Sequence, residues 1–303
     1  MRVFMLALLL AVSCFNFSIE GRVGAIRHGP PLRSGHQNLV RMATSSKRGL
    51  SFFGEGDLNL ALTPFKSKIN WVSDGNDAPP AVLAGGANYI PQLVANASLE
   101  GLSALKPAAD AAIKNGYKIL TPFPDFYRIR WACQYQNAQK KENLDNCAEF
   151  YASYAEAIGT DIVPLKAKNP GVTVIAPELV LLSNPDSSDA NEELMVDFQL
   201  FLDGCKDCGF DAFAVSWRGD PADFDSLVRA TEEFHRRFPG QVWMKGTDFG
   251  FSPPAAEMLA FVEKAVGYLE SKEFIQGYAI KAMYLVNQRT YELNDAGKAY
   301  IGE

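Results

Sequence analysis

Histidine is scarce in this 303-residue chain: only His28, His36 and His235 occur, and the first two sit in a basic N-terminal segment. That excludes a multi-histidine zinc centre and leaves little for a Ser-His-Asp or Cys-His triad. No GxxxxGK[ST] loop occurs, and Gly54-Glu55-Gly56 has Asn59 where a dinucleotide-binding turn needs its third glycine. Beyond the N-terminal region, no uncharged apolar run approaches membrane-spanning length. The body also lacks basic charge, since residues 49–303 hold 22 Lys and Arg against 34 Asp and Glu. A net charge of −12 there speaks against nucleic acid as a partner, because phosphates must be neutralised by Lys and Arg. What is present is core material: 48% apolar and 12% aromatic residues exclude a disordered or low-complexity chain.

The N-terminal segment has the opposite bias. Arg2, the apolar run Val3–Leu10 and the small-residue stretch Ala11-Val12-Ser13-Cys14 have the order of a signal peptide, expected within residues 1–22. Secretion or a cell-wall location follows from that reading. Residues 21–54 contain no acid and six bases (Arg22, Arg27, Arg33, Arg41, Lys47, Arg48), so residues 23–46 are expected to form a basic arm without fixed structure. With Phe15 after the cleavage site, a two-part presequence directing import into a plastid is the alternative. Cys14 belongs to the leader, which leaves Cys133, Cys147, Cys205 and Cys208. An even number in an exported chain favours disulfides: Cys133–Cys147 across the polar stretch Gln134–Asn146, and Cys205–Cys208 locally. No second CxxC accompanies Cys205-x-x-Cys208 to suggest a metal site. Asn96-Ala97-Ser98 is a glycosylation sequon.

Along residues 47–303, eight short β-like runs alternate with helical patterns and no interior linker appears, which predicts one (β/α)8 barrel. Asp220 is the expected cap, and Pro221 the expected first turn, of the helix after the sixth strand. Chemistry in such a barrel gathers where strands end and loops begin. Acids and tryptophans there suit carbohydrate, because indoles stack on sugar faces and paired carboxyls cleave glycosidic bonds. The same acids, taken singly, also serve as helix caps and arginine partners.

Several segments together resemble a known family. They are Lys47-Arg48-Gly49-Leu50-Ser51, Ile69-Asn70-Trp71-Val72, Tyr89-Ile90-Pro91-Gln92-Leu93, the run from Phe201 to Trp217 with its Cys205-x-x-Cys208, Val242-Trp243 with Thr247-Asp248-Phe249, and Leu293–Tyr300. In this order, from about Lys47 to Ile301, they resemble the alkali-sensitive-linkage-like glycosyl hydrolases, family 128 of the glycoside hydrolases. That resemblance implies a (β/α)8 barrel and retaining endo-β-1,3-glucanase chemistry. It implies Asp248 in the nucleophile position, while strand-end placement in a barrel puts Trp71, Gln92, Asp125, Trp217, Arg218 and Thr247 around the substrate.

The departures fall on the chemistry. The family's acid/base Glu in Gly-Phe-Asn-Glu-Pro-Asp is missing from Leu120-Thr121-Pro122-Phe123-Pro124-Asp125, and its nucleophile Glu is Asp248 after two extra residues in Trp243-Met244-Lys245-Gly246-Thr247. His-Trp-Tyr becomes Ser216-Trp217-Arg218, and Trp-Phe on the last strand becomes Ile280-Lys281. Glu178, ending the fifth strand, is the candidate replacement acid, with Asp125 as its rival. A retaining pair needs its carboxyls ~5–5.5 Å apart. Two functions stay open: a hydrolase directed at β-glucan, and a barrel that binds glucan without cutting it. An unrelated small ligand is a third. No cofactor or metal is expected, the partner is polysaccharide, and a monomer is expected.

Overall fold

A computed structural model describes residues 47–303 apart from 53–57, 66–67, 75–86, 94–99, 124, 141–146, 184–187, 206 and 251–252. Residues 1–46, with the leader and arm, and the Asn96 sequon therefore lie outside the described residues. Eight parallel strands, β1 (Arg48–Phe52), β2 (Trp71–Asp74), β3 (Asn88–Ile90), β4 (Ile119–Leu120), β5 (Thr173–Leu182), β6 (Ala212–Arg218), β7 (Gln241–Asp248) and β8 (Ile275–Lys281), run in the order β3-β2-β1-β8-β7-β6-β5-β4. Among the described residues a single bridge, Gln92 to Thr121, joins the β3 and β4 sides, so the (β/α)8 barrel is nearly closed. Helices α1 (Leu58–Leu62), α2 (Leu105–Lys114), α3 (Phe126–Lys140), α4 (Ala148–Ala157), α5 (Val163–Lys168), α6 (Ser188–Gly204), α7 (Phe224–Arg237), α8 (Ala255–Ser271) and α9 (Asp295–Ile301) complete it.

Alternation along the strands sorts side chains between the barrel axis and the outer core. The lower interior is apolar: Trp71, Ile90, Ile119, Ile175, Ala212, Ala214, Trp243 and Ala279 form one buried cluster. Trp71 and Trp243 meet edge to face with ring centroids 5.2 Å apart. Two indoles fit because Gly49 and Gly277 lie against them; a Cβ at either position would overlap an indole. The layer above is polar, with Ser51, Ser73, Thr121, Glu178, Ser216 and Lys245 all buried. The outer core lies between strands and helices. There Phe126 of α3 packs on Tyr151, Phe198 and Phe201.

Both disulfides form, with Cα–Cα distances of 5.9 Å for Cys133–Cys147 and 5.1 Å for Cys205–Cys208. Two expectations change. The segment after β4 is a helix as far as Lys140, so the first bridge ties α3 to the residue before α4 rather than closing a bare loop. Helix α7 starts at Phe224 with Asp223 as its cap, the Asp223 carboxylate accepting from Ser226 N at 3.2 Å. Asp220 instead accepts from Ala222 N at 2.9 Å, holding Pro221 in a turn outside the helix.

Candidate functional site

The C-terminal ends of β4 to β8 bring acids and bases together. Glu178 does not end β5 as expected: the strand runs on to Leu182, and Glu178 stands within it after a register shift, 6% exposed. Ser216 of β6 donates its hydroxyl to one carboxylate oxygen, and the Lys245 ammonium of β7 lies 3.3 Å from the other. Lys245 reaches this position through a bulge: Val215 pairs with Met244 but Ser216 with Gly246, leaving Lys245 as the extra residue. A Cβ on Gly246 would face Ser216 and Ser51, so both residues of the insertion point toward the axis. Asp125, beyond β4 and immediately before α3, bridges to Glu178. Its carboxylate accepts from Arg128 N at 2.8 Å, capping α3, and pairs with Arg128 Nε at 3.1 Å. Burial raises the Asp125 carboxyl above its ordinary value and the Glu178 charge adds to that, against the opposing Arg128 N–H and guanidinium.

Asp248 anchors a second group nearer the rim. Arg218 Nε and Nη2 reach its Oδ2 at 2.9 and 2.5 Å, Lys281 Nζ at 2.8 Å, and Tyr284 donates to Oδ1 at 2.7 Å. Burial alone would raise this carboxyl; hydrogen bonds from Lys281, Tyr284 and Arg218 outweigh it and hold Asp248 well below the usual carboxylate range. The Tyr284 hydroxyl is pushed up to about 12, by burial first and then by its bond to Asp248.

Other expected site residues fall differently. Gln92 sits at the closing bridge, two residues beyond the axis-facing Ile90, and is 9% exposed. Trp71 and Trp217 do not line the mouth. Trp71 opens β2, so it lies in the lower layer, and its Nε1 donates to Lys47 O at 3.0 Å. Trp217 alternates with Ser216 and Arg218, so it faces outward, fully buried; it stacks on Phe261 with centroids 5.5 Å apart and donates to Ser226 Oγ at 3.1 Å. Thr247 alternates with Asp248 and is likewise fully buried, its hydroxyl without a partner among the described residues. Neither indole nor the threonine can meet a sugar in the mouth. Phe123, at the place the family's acid would take, is fully buried against Tyr154. The sequence marks Lys281 as a departure from the family's last strand, but the pairing of Lys245 and Lys281 with the acids, and Tyr284, were not expected. For Lys245 a signal existed: a lysine within the apolar strand Val242-Trp243-Met244, at a two-residue insertion.

Among the described residues no group of His, Cys, Asp and Glu is arranged to hold a metal, and no helix is long and apolar enough to cross a membrane.

The barrel and its strand-end site define a class. The family model of the glycosyl hydrolase catalytic core matches residues 131–300, more than half of the chain, and the chain belongs to that family. Among solved structures it is similar to a curdlan-specific exo-β-1,3-glucanase of GH128 subgroup III from Blastomyces gilchristii, with 22% identity, TM-score 0.60 and coverage of 84% of this chain and 97% of that one. It is also similar to an exo-β-1,3-glucanase of subgroup VI from Aureobasidium namibiae, with 12% identity, TM-score 0.61 and coverage of 86% and 97%. A third is a subgroup VII oligosaccharide-binding protein from Cryptococcus neoformans, with 17% identity, TM-score 0.56 and coverage of 84% and 92%. At these identities the likeness establishes the fold. No curated protein matches the chain.

Proposed function

We propose that this barrel is directed at β-glucan and holds it at the strand-end mouth without cutting it by the double displacement of the retaining glucanases. The observation that carries this reading is that each acid described at the mouth is tied to a cation: Asp248 to Arg218 and Lys281, Glu178 to Lys245, and Asp125 to Arg128. A nucleophile must approach the anomeric carbon with a free oxygen, and Asp248 has both oxygens engaged. The transition state is oxocarbenium-like and positive, so Arg218, Lys245 and Lys281 disfavour it. Binding asks less. The Arg218 guanidinium, its side chain 54% exposed, stands at the rim where sugar hydroxyls can reach it. The glucan assignment draws on the barrels of like fold, which include β-1,3-glucanases and oligosaccharide-binding proteins.

Export of the mature chain through the leader in residues 1–22 is part of the same proposal, with the plastid as the alternative address. The functional test is to mix the mature chain with soluble β-1,3-glucan and follow both retention in glucan-containing gels and new reducing ends. Retention with no new reducing ends is expected. Reducing ends that disappear in Asp248→Asn would replace binding by hydrolysis, and absence of retention would remove glucan as the ligand.

A further inference from the structure

Helix α3 is aromatic on two faces. Phe126, Ile129 and Cys133 are fully buried against the barrel, whereas Tyr127, Trp131 and Tyr135 are 56%, 55% and 53% exposed. Spacing of four residues puts these three on one stripe in steps of about 6 Å. The Trp131 and Tyr135 rings lie 5.3 Å apart and 17° from parallel, a stacked pair open to solvent. The chain's other three tryptophans, Trp71, Trp217 and Trp243, are at most 6% exposed, so Trp131 is the indole presented to solvent.

The stripe starts at the mouth. Asp125 bridges to Glu178 and caps α3, and Tyr127 follows two residues later. The cations beside it are already paired: Arg128 with Asp125, and Arg130 with Asp197 at 2.5 Å and Glu193 at 3.1 Å.

We propose that Tyr127, Trp131 and Tyr135 form a second β-glucan-binding surface, on which a chain longer than the mouth lays its pyranose rings. The inference rests on the glucan-directed reading of the mouth and extends it to the polymer. Flat rings with polar edges give large contact area at low entropic cost and suit a ligand that is apolar on its faces and wet at its rim. Exposed Gln134 next to Tyr135 supplies an amide for hydroxyl groups. Neutralised arginines fit an uncharged polymer and offer little to phosphate or sulfate.

Trp131 makes the test direct. Wild-type chain is titrated with polymeric β-1,3-glucan and with its trisaccharide, which is too short to fill the mouth and reach along α3. With polymer, tryptophan emission is expected to shift to shorter wavelength and to lose its acrylamide-quenchable fraction; with trisaccharide neither changes. The surface variant W131A/Y135A, checked for unchanged circular dichroism, should bind polymer ~10-fold or more weakly and trisaccharide as wild type does. Polymer binding that leaves Trp131 quenchable, or a variant that holds polymer as tightly as wild type, overturns the proposal while leaving the mouth reading intact. If wild type binds neither glucan, the mouth reading fails and the stripe falls with it. A wild-type dimer in sedimentation that the variant converts to monomer would make the stripe a protein interface and overturn the proposal.

Discussion

A methyl group on Gly277 would lie 2.5 Å from Trp243 Cε3 and 2.9 Å from Trp71 Nε1, with no flexible side-chain end to give way. Gly277→Ala is therefore expected to cost about 1–3 kcal/mol through overpacking, measured by urea denaturation. The acids at the mouth make opposite predictions with pH. Asp248 has a depressed folded value, so its contribution is present above the unfolded value near 3.9 and is lost as pH falls below it. Asp248→Asn should thus be less stable than wild type at pH 7, and the gap should close on acidification below about pH 4, in thermal unfolding series. Asp125 has a raised folded value, so its charge weakens the fold as pH rises through that value. Asp125→Asn keeps a capping side chain and should match or exceed wild-type stability at pH 7, with any advantage vanishing in acid. At this scale the sequence is only partly legible. Asp248 ends β7 as expected, but Glu178 stands within β5 and Asp125 beyond β4; Trp71 lies low because it opens β2, and Trp217 turns outward, because being near a strand end does not say on which face a residue stands. One residue of phase decides it.

Elements were more legible than side chains. The strands of the barrel lie where short apolar runs alternate with helices, since burial on both sides selects such runs. Helix α3 was the miss: its aromatic residues fall on opposite faces, so no single apolar stripe stands out in Phe126–Lys140. Tertiary packing of Phe126 and the Cys133–Cys147 bridge supplies what periodicity does not. Closing the fourteen-residue separation between these cysteines is worth about 3 kcal/mol in the chain-entropy model, so C133S/C147S should lose about that much stability in denaturant. The strands themselves are unequal. β3 and β4 have three and two residues and meet in one bridge, whereas β5 to β8 have seven to ten. Amide hydrogen exchange should accordingly be faster along β3 and β4 than along β6 and β7, the ladder bonds there being few. Uniform protection around the barrel would contradict this.

For the whole molecule, the ordering of pieces carried the fold, and the departures from the family's motifs fall where Lys245, Asp248 and Lys281 enter ion pairs; the residues stand out in the sequence, but their pairing does not, because the partners lie on other strands. The barrel is sealed between its first and last strands. β1 pairs with β8, Tyr300 donates to Gly49 O at 2.6 Å, and Lys47 Nζ donates to Lys272 O at 2.7 Å, across more than 220 residues. This seam has a temporal meaning for a chain made from its N-terminus. While the ribosome is still producing the middle of the protein, one edge of β1 has no strand to pair with, and the indole of Trp71 lacks its counterpart on β7. Closure waits for β8, more than 220 residues after β1, so the growing chain carries an open, sticky edge while every strand between them is made.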